Sequence, residues 1–332
     1  MHSSTSSSDS RQMRAMIFAL IALLAIFCLS LETITRAFYG RISQIRRRIE
    51  TEHSAARAAE EVLLIGNSLL LEGIDYPELQ RILTRELKVT RFVVENTTYL
   101  DWYYGLRRIL HKGARPAAVV LVLSPRQFLS PQIQGDLFAN LLLDRQDLLR
   151  VARETGADRT ATTSLLLDTV SDFYGSRAEI RNWVLHSVMP NSGQLGDFMR
   201  PHTPPIIEDE ALVALAASRL AQMHALAGQY GAKFVLVVPP QLSLEGVRTL
   251  ERAAVQTNTT FSVPLGPGVL PAANFRDGFH LNPMGAAAFT LALARELRRL
   301  QLSSSEVLEN SVRRKAISAS MCRSHALHHR IK

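Results

Sequence analysis

A chain of 332 residues, 47% hydrophobic and 20% charged, can bury a sizeable core in one large domain or two ordinary ones. Its formal charge of +8 gathers between Arg36 and Arg48 and in a tail from Arg313 to Lys332. With no zinc-finger spacing or aromatic–basic RNA motif, nucleic acid is not the expected partner. Two cysteines, Cys28 in an apolar segment and Cys322 in the polar tail, point to no structural disulfide and form no metal or redox pair, and no cofactor is expected.

A polar segment, residues 1–14, leads through Arg11 and Arg14 into an apolar run from Ala15 to Leu29, which Ser30 and Leu31 extend to the first acid, Glu32. These 17 residues, 15–31, stand at the short end of what spans a bilayer core of about 30 Å. Leu29-Ser30-Leu31-Glu32 lacks the small residues of a signal-peptide cleavage site, and bulky Ile26 and Phe27 before Cys28 argue against a lipoprotein. The expectation is an uncleaved single-span anchor. Arg36, Arg41, Arg46, Arg47 and Arg48 follow the span closely, so the positive-inside rule alone would keep the main body in the cytoplasm. Residues 32–59 then read as a charged helical stalk, with Ile42, Ile45 and Ile49 on one stripe.

From residue 60 to 301, strands and helices alternate. Apolar runs suited to buried strands cover 62–65, 92–94, 117–123 and 233–238, with a shorter fifth at 260–263. Helical patterns cover 77–87, 100–111, 144–154, 164–185, 209–229 and 283–300. This order predicts an α/β fold with a parallel central sheet of about five strands, helices on both faces. Residues 130–205 carry no convincing strand and read as a helical insertion after the third strand. The basic tail, 302–332, loses apolar periodicity and reads as disordered.

Two segments carry the chemistry. Val62-Leu63-Leu64-Ile65-Gly66-Asn67-Ser68 is a buried strand that ends in a small turn bearing a serine. Asp277-Gly278-Phe279-His280 sets a carboxylate three residues before a histidine, just ahead of the helix start Asn282-Pro283. Ligands of a parallel α/β sheet gather at the carboxyl ends of its strands, and both segments follow strands, so they should share that edge. There Ser68 would be the nucleophile, His280 its base and Asp277 the group orienting the imidazole. A simpler reading makes Ser68 a helix cap and Asp277-Gly278 a turn pair.

The Gly66-Asn67-Ser68 block and the Asp277-x-x-His280-Leu281-Asn282-Pro283-x-Gly285 block resemble the first and last motifs of the SGNH (GDSL-like) hydrolase superfamily. The resemblance covers about residues 60 to 300. It implies a flavodoxin-like three-layer sandwich and the roles just given to Ser68, His280 and Asp277. With its N-terminal anchor and divergent middle, the chain looks most similar to members that modify cell-surface polysaccharides, such as the alginate O-acetylation and teichoic-acid D-alanylation proteins.

The middle departs from the family pattern. Asn96-Thr97-Thr98 stands where the family places an oxyanion-hole glycine, and Ser124-Pro125-Arg126 where it places Gly-x-Asn. Losing one such donor typically costs about 100- to 1000-fold in rate. The candidate donors are Ser68, through its backbone N–H, with Asn96, Thr97 and Ser124. Candidate substrate contacts are Asn67, Tyr99 and Trp102 (the last two as a sugar platform or, alternatively, packing) and Arg126, as an anion clamp or one half of an ion pair.

The leading expectation is a membrane-anchored serine esterase or O-acyltransferase acting on an acylated glycan, paired with a membrane-bound acyltransferase. The alternative is a catalytically weak glycan-binding or assembly subunit. The resemblance implies a periplasmic domain, with Arg46 to Arg48 on a helix along the membrane surface.

Overall fold

The structure, a computed structural model, describes residues 6–38, 40–134, 138–189, 209–243 and 245–300. The basic tail, Pro201 to Pro205 and the end of the expected insertion lie outside them.

Helix α1 (Ser6–Phe38) is longer than the apolar run it contains. Its stretch Arg11–Ala37 is long and apolar enough to cross a membrane, and the large side chains from Met13 to Leu29 are all exposed. Helix α2 (Gly40–Arg57) follows, with Ile49 buried; the side chains of Ile42 and Ile45 lie outside the described set.

Five strands form one sheet: β1 (Val62–Gly66), β2 (Val89–Val93), β3 (Ala118–Val122), β4 (Lys233–Val237) and β5 (Thr260–Ser262). Their order is β2-β1-β3-β4-β5. Val62 pairs with Ala118, Val119 with Phe234 and Val235 with Thr260, all in parallel registers. This is the flavodoxin-like order, in which the strand order reverses between β1 and β3 and leaves a crevice at their carboxyl ends. Strand β1 is buried along its whole length, which explains its unbroken apolar run. Strand β2 starts earlier than expected because Thr90 and Arg91 are half exposed and interrupt the apolar signal.

The remaining helices are set by local chemistry. They are α3 (Ser68–Leu71), α4 (Tyr76–Leu83), α5 (Tyr99–His111), α6 (Pro125–Leu129), α7 (Leu148–Glu154), α8 (Arg159–Val170), α9 (Asp172–Gly175), α10 (Arg177–Val188), α11 (Glu210–Gly228), α12 (Val247–Thr257) and α13 (residues 283–300). Asp75 caps α4 by accepting the Glu78 N–H at 3.0 Å, and Asp209 caps α11 through Leu212 at 2.6 Å. Helix α12 was not anticipated. It buries Val247, Leu250, Ala253 and Ala254, and it packs on α11 and β5. The single helix expected over 164–185 is three, α8, α9 and α10, broken at Ser171 and Ser176.

The chain divides into two compact units. The first draws on Met1–Ala58, Arg91–Ala114 and Gln127–Ile206, and the second on Ala59–Thr90, Arg115–Arg126 and Ile207–Lys332. In the first, Gly105 lets α5 approach the π-helical turn Phe138–Leu142, since a Cβ there would lie 2.8 Å from the Leu142 side chain. The second holds β1, β3, β4 and β5 with the two chemistry-bearing segments.

Candidate active site

Ser68 stands where β1 gives way to α3. Residue 66 must be glycine for a steric reason: a Cβ would sit 2.6 Å from the carbonyl oxygen of Val122, on the neighbouring strand β3. The turn then depends on Asn67, which is fully buried and whose side-chain oxygen accepts the Leu69 N–H at 3.1 Å. Capping of α3 therefore falls to Asn67. The Ser68 hydroxyl is left for another partner.

That partner is His280, whose Nε2 lies 3.0 Å from Ser68 Oγ. The histidine sits on a tight loop closed by the Phe275–Leu281 bridge and by the Arg276 N–H donating to the His280 carbonyl at 2.8 Å. Gly278 takes φ +78°, a conformation that favours glycine and lets Asp277 fold back on the loop. One Asp277 oxygen accepts the backbone N–H groups of Phe279 at 3.0 Å and His280 at 2.7 Å. Its other oxygen lies 2.7 Å from His280 Nδ1. Asn282 caps α13 through the N–H groups of Met284 and Gly285, both at 3.1 Å, and so fixes the loop to a rigid element.

Burial pushes the Asp277 carboxyl up, but the His280 backbone N–H, the His280 ring and the Phe279 N–H together hold it well below the usual carboxylate range. These contacts favour its ionised form. The side chains of His280 and Asp277 are 20% and 45% exposed, so the imidazole is sheltered while the carboxylate touches water. Nothing in the motif flagged Arg276. Its guanidinium lies 2.8 Å from Glu72, the C-cap of the serine-bearing helix, and 3.7 Å from Asp277. The pairing joins the two segments across the fold and is invisible in local sequence.

No protein-family model matches this sequence, and no curated protein matches it. Among solved structures, a crystal structure of TesA is similar at 17% identity and a TM-score of 0.36, over 73% of this chain and 99% of that one.

The remaining candidates separate by unit. Ser124 follows β3 in the second unit and is buried; Gly66 pairs with Val122, so Ser68 and Ser124 stand equally far beyond paired residues at one edge of the sheet. The Ser68 N–H opens α3, where helix geometry supplies no intrahelical acceptor. Arg126 donates to Glu245 at 2.9 Å, the ion-pair alternative of its two readings.

Asn96 and Thr97 belong to the first unit. Asn96 has φ +56° and donates its side-chain amide to the Gln134 carbonyl at 3.1 Å. The Thr97 hydroxyl donates to Val94 at 2.6 Å and accepts from Trp102 Nε1 at 2.8 Å. Trp102 and Tyr99 are buried, Trp102 edge-on to Phe92 and Tyr99 edge-on to Phe128. Their rings are packing surfaces here, the alternative to a sugar platform; Asn67, equally buried, offers its side chain to α3. Among the described residues no group of His, Cys, Asp and Glu could hold a metal ion.

Proposed function

We propose that this protein is a membrane-anchored SGNH-type serine esterase or O-acyltransferase acting on acyl groups of a cell-envelope polysaccharide. The observation that carries the reading is the unbroken path from Ser68 Oγ through His280 to Asp277, at 3.0 and 2.7 Å. Ser68 Oγ attacks the acyl carbonyl as its proton passes to His280 Nε2. The tetrahedral adduct collapses, and the leaving alcohol takes that proton. Water or an acceptor hydroxyl then gives a proton to Nε2, attacks acyl-Ser68 and restores the serine. Asp277 stays ionised throughout and balances the imidazolium.

In this reading α1 holds the domain at the membrane on the periplasmic side, beside a membrane-bound acyltransferase that supplies acyl groups. A second reading, a weakly catalytic glycan-binding subunit, is favoured by the Pro125 that follows Ser124 and by the prior engagement of the Asn96 amide.

The test is a brief reaction of the full chain with an activated acyl ester, then peptide mapping by mass. Acyl adduct on the peptide holding Ser68, lost in His280→Ala, supports the enzyme. A folded protein that never acylates supports the binding subunit.

A further inference from the structure

Within the first unit, α1 meets the helical insertion at one defined place. Glu32, the first charge after the apolar run, accepts the backbone N–H groups of Asp172 at 2.9 Å and Phe173 at 3.1 Å, and the Ser171 hydroxyl at 2.9 Å. Both its carboxylate oxygens are thereby engaged by the start of α9. Asp172 in turn pairs with Arg36 at 2.9 Å and with Arg46. Six residues from three segments thus hold α9 at the level where the apolar run of α1 ends.

The helices on either side of α9 are unusually apolar at their surfaces. Helix α8 buries none of its residues, and Leu166, Leu167 and Val170 are exposed on it. At the end of α10, Val184, Leu185, Val188 and Met189 are exposed, Val188 to 74%. Seven large apolar side chains on two helices exceed the scatter of single exposed residues normal for a soluble surface.

We propose that α8 and the end of α10 lie in the surface of the phospholipid bilayer that α1 enters. The inference rests on the membrane-anchor reading of α1. Its occupant follows from position: the polar clamp on Glu32 ties α9 to the point where an apolar span must leave hydrocarbon. Apolar side chains on the flanking helices are then at interface depth, with exposed Arg159 and Arg181 available to the headgroup layer. The insertion serves as a second, monotopic attachment that sets the orientation of the first unit on the membrane.

The test uses the full chain, with Cys28→Ser and Cys322→Ser, reconstituted in phosphatidylcholine–phosphatidylglycerol vesicles. Single cysteines at Leu167→Cys, Val188→Cys, Leu24→Cys and, as a solvent reference, Val255→Cys carry an environment-sensitive fluorophore. The proposal predicts blue-shifted emission at 167 and 188 and severalfold stronger quenching by lipid-borne nitroxide than at 255. Quenching at 24 with none at 167 and 188 overturns the surface contact and leaves the anchor standing. Quenching at 167 and 188 without 24 overturns the anchor and keeps the surface contact. A blue shift at 167 and 188 that lipid nitroxide does not touch means a protein cover instead, and overturns the proposal.

Discussion

His280 Nε2 lies 3.0 Å from Ser68 Oγ although 212 residues separate them. The contact joins two unrelated local devices, a strand exit capped by Asn67 and an Asp-Gly turn anchored to α13. Because the ionised Asp277 addresses His280 Nδ1, it selects the tautomer whose Nε2 can accept the serine proton. Asp277→Asn should therefore preserve the fold and lower kcat about 100- to 10,000-fold on an activated acyl ester. An unchanged kcat in the folded variant would remove Asp277 from the mechanism.

Gly66 gives a structural counterpart. Adding a methyl group 2.6 Å from the Val122 carbonyl oxygen forces β1 and β3 apart at their carboxyl ends, because neither partner is a flexible side chain. Gly66→Ala should lose on the order of 1–3 kcal/mol in denaturant unfolding and reduce acyl transfer as the Ser68 turn shifts. Wild-type stability in that variant would mean that the strands relax more easily than their register implies.

The Arg276–Glu72 pair links the histidine loop to the serine helix but is partly exposed. A double-mutant cycle of Arg276→Ala and Glu72→Ala should give a stability coupling of only about 0.2–1 kcal/mol. If the pair positions the loop, kcat should fall in both single variants with KM little changed. Equal kcat in all four proteins would make it a surface ion pair only.

His53 on α2 is buried against Phe92, their rings 5.1 Å apart, and among the described residues its Nε2 has no hydrogen-bond partner. Burial first, and then the charges of Arg108 and Arg57, push its pKa down to about 4. The unfolded chain, near the ordinary 6.5, binds the proton more readily, so stability rises with pH between about 4 and 6.5 and is lost as pH falls through that window. His53→Leu should flatten the dependence by on the order of 1–2 kcal/mol across it, measured by urea unfolding at pH 4.5 and 7. An unchanged pH slope would assign the effect to other groups.

The sheet was legible because β1, β3 and β4 are largely buried runs, whereas β2, with half-exposed Thr90 and Arg91, showed only its apolar end. The break of α8 from α9 was not legible, since Ser171, which ends α8 and caps α9, has its hydroxyl and the next two N–H groups held by Glu32, far away in α1. Helix α12 was hidden by its short apolar stripe and by a start at Gly246, with φ +73°. At the site, Ser68, Asp277 and His280 were visible because each lies in a short motif whose backbone chemistry is local. The roles first considered for Tyr99 and Trp102 turned on burial, which depends on Phe92 and Phe128 rather than on neighbouring sequence.

The central claim is that Ser68 is a nucleophile activated by His280. Incubating the purified full chain with a fluorophosphonate probe tests it directly. The account predicts covalent labelling of the wild type that is absent in Ser68→Ala and at least about a hundredfold slower in His280→Ala, with both variants folded. A folded wild type that takes up no probe, or a Ser68→Ala variant that labels as fast, would contradict it.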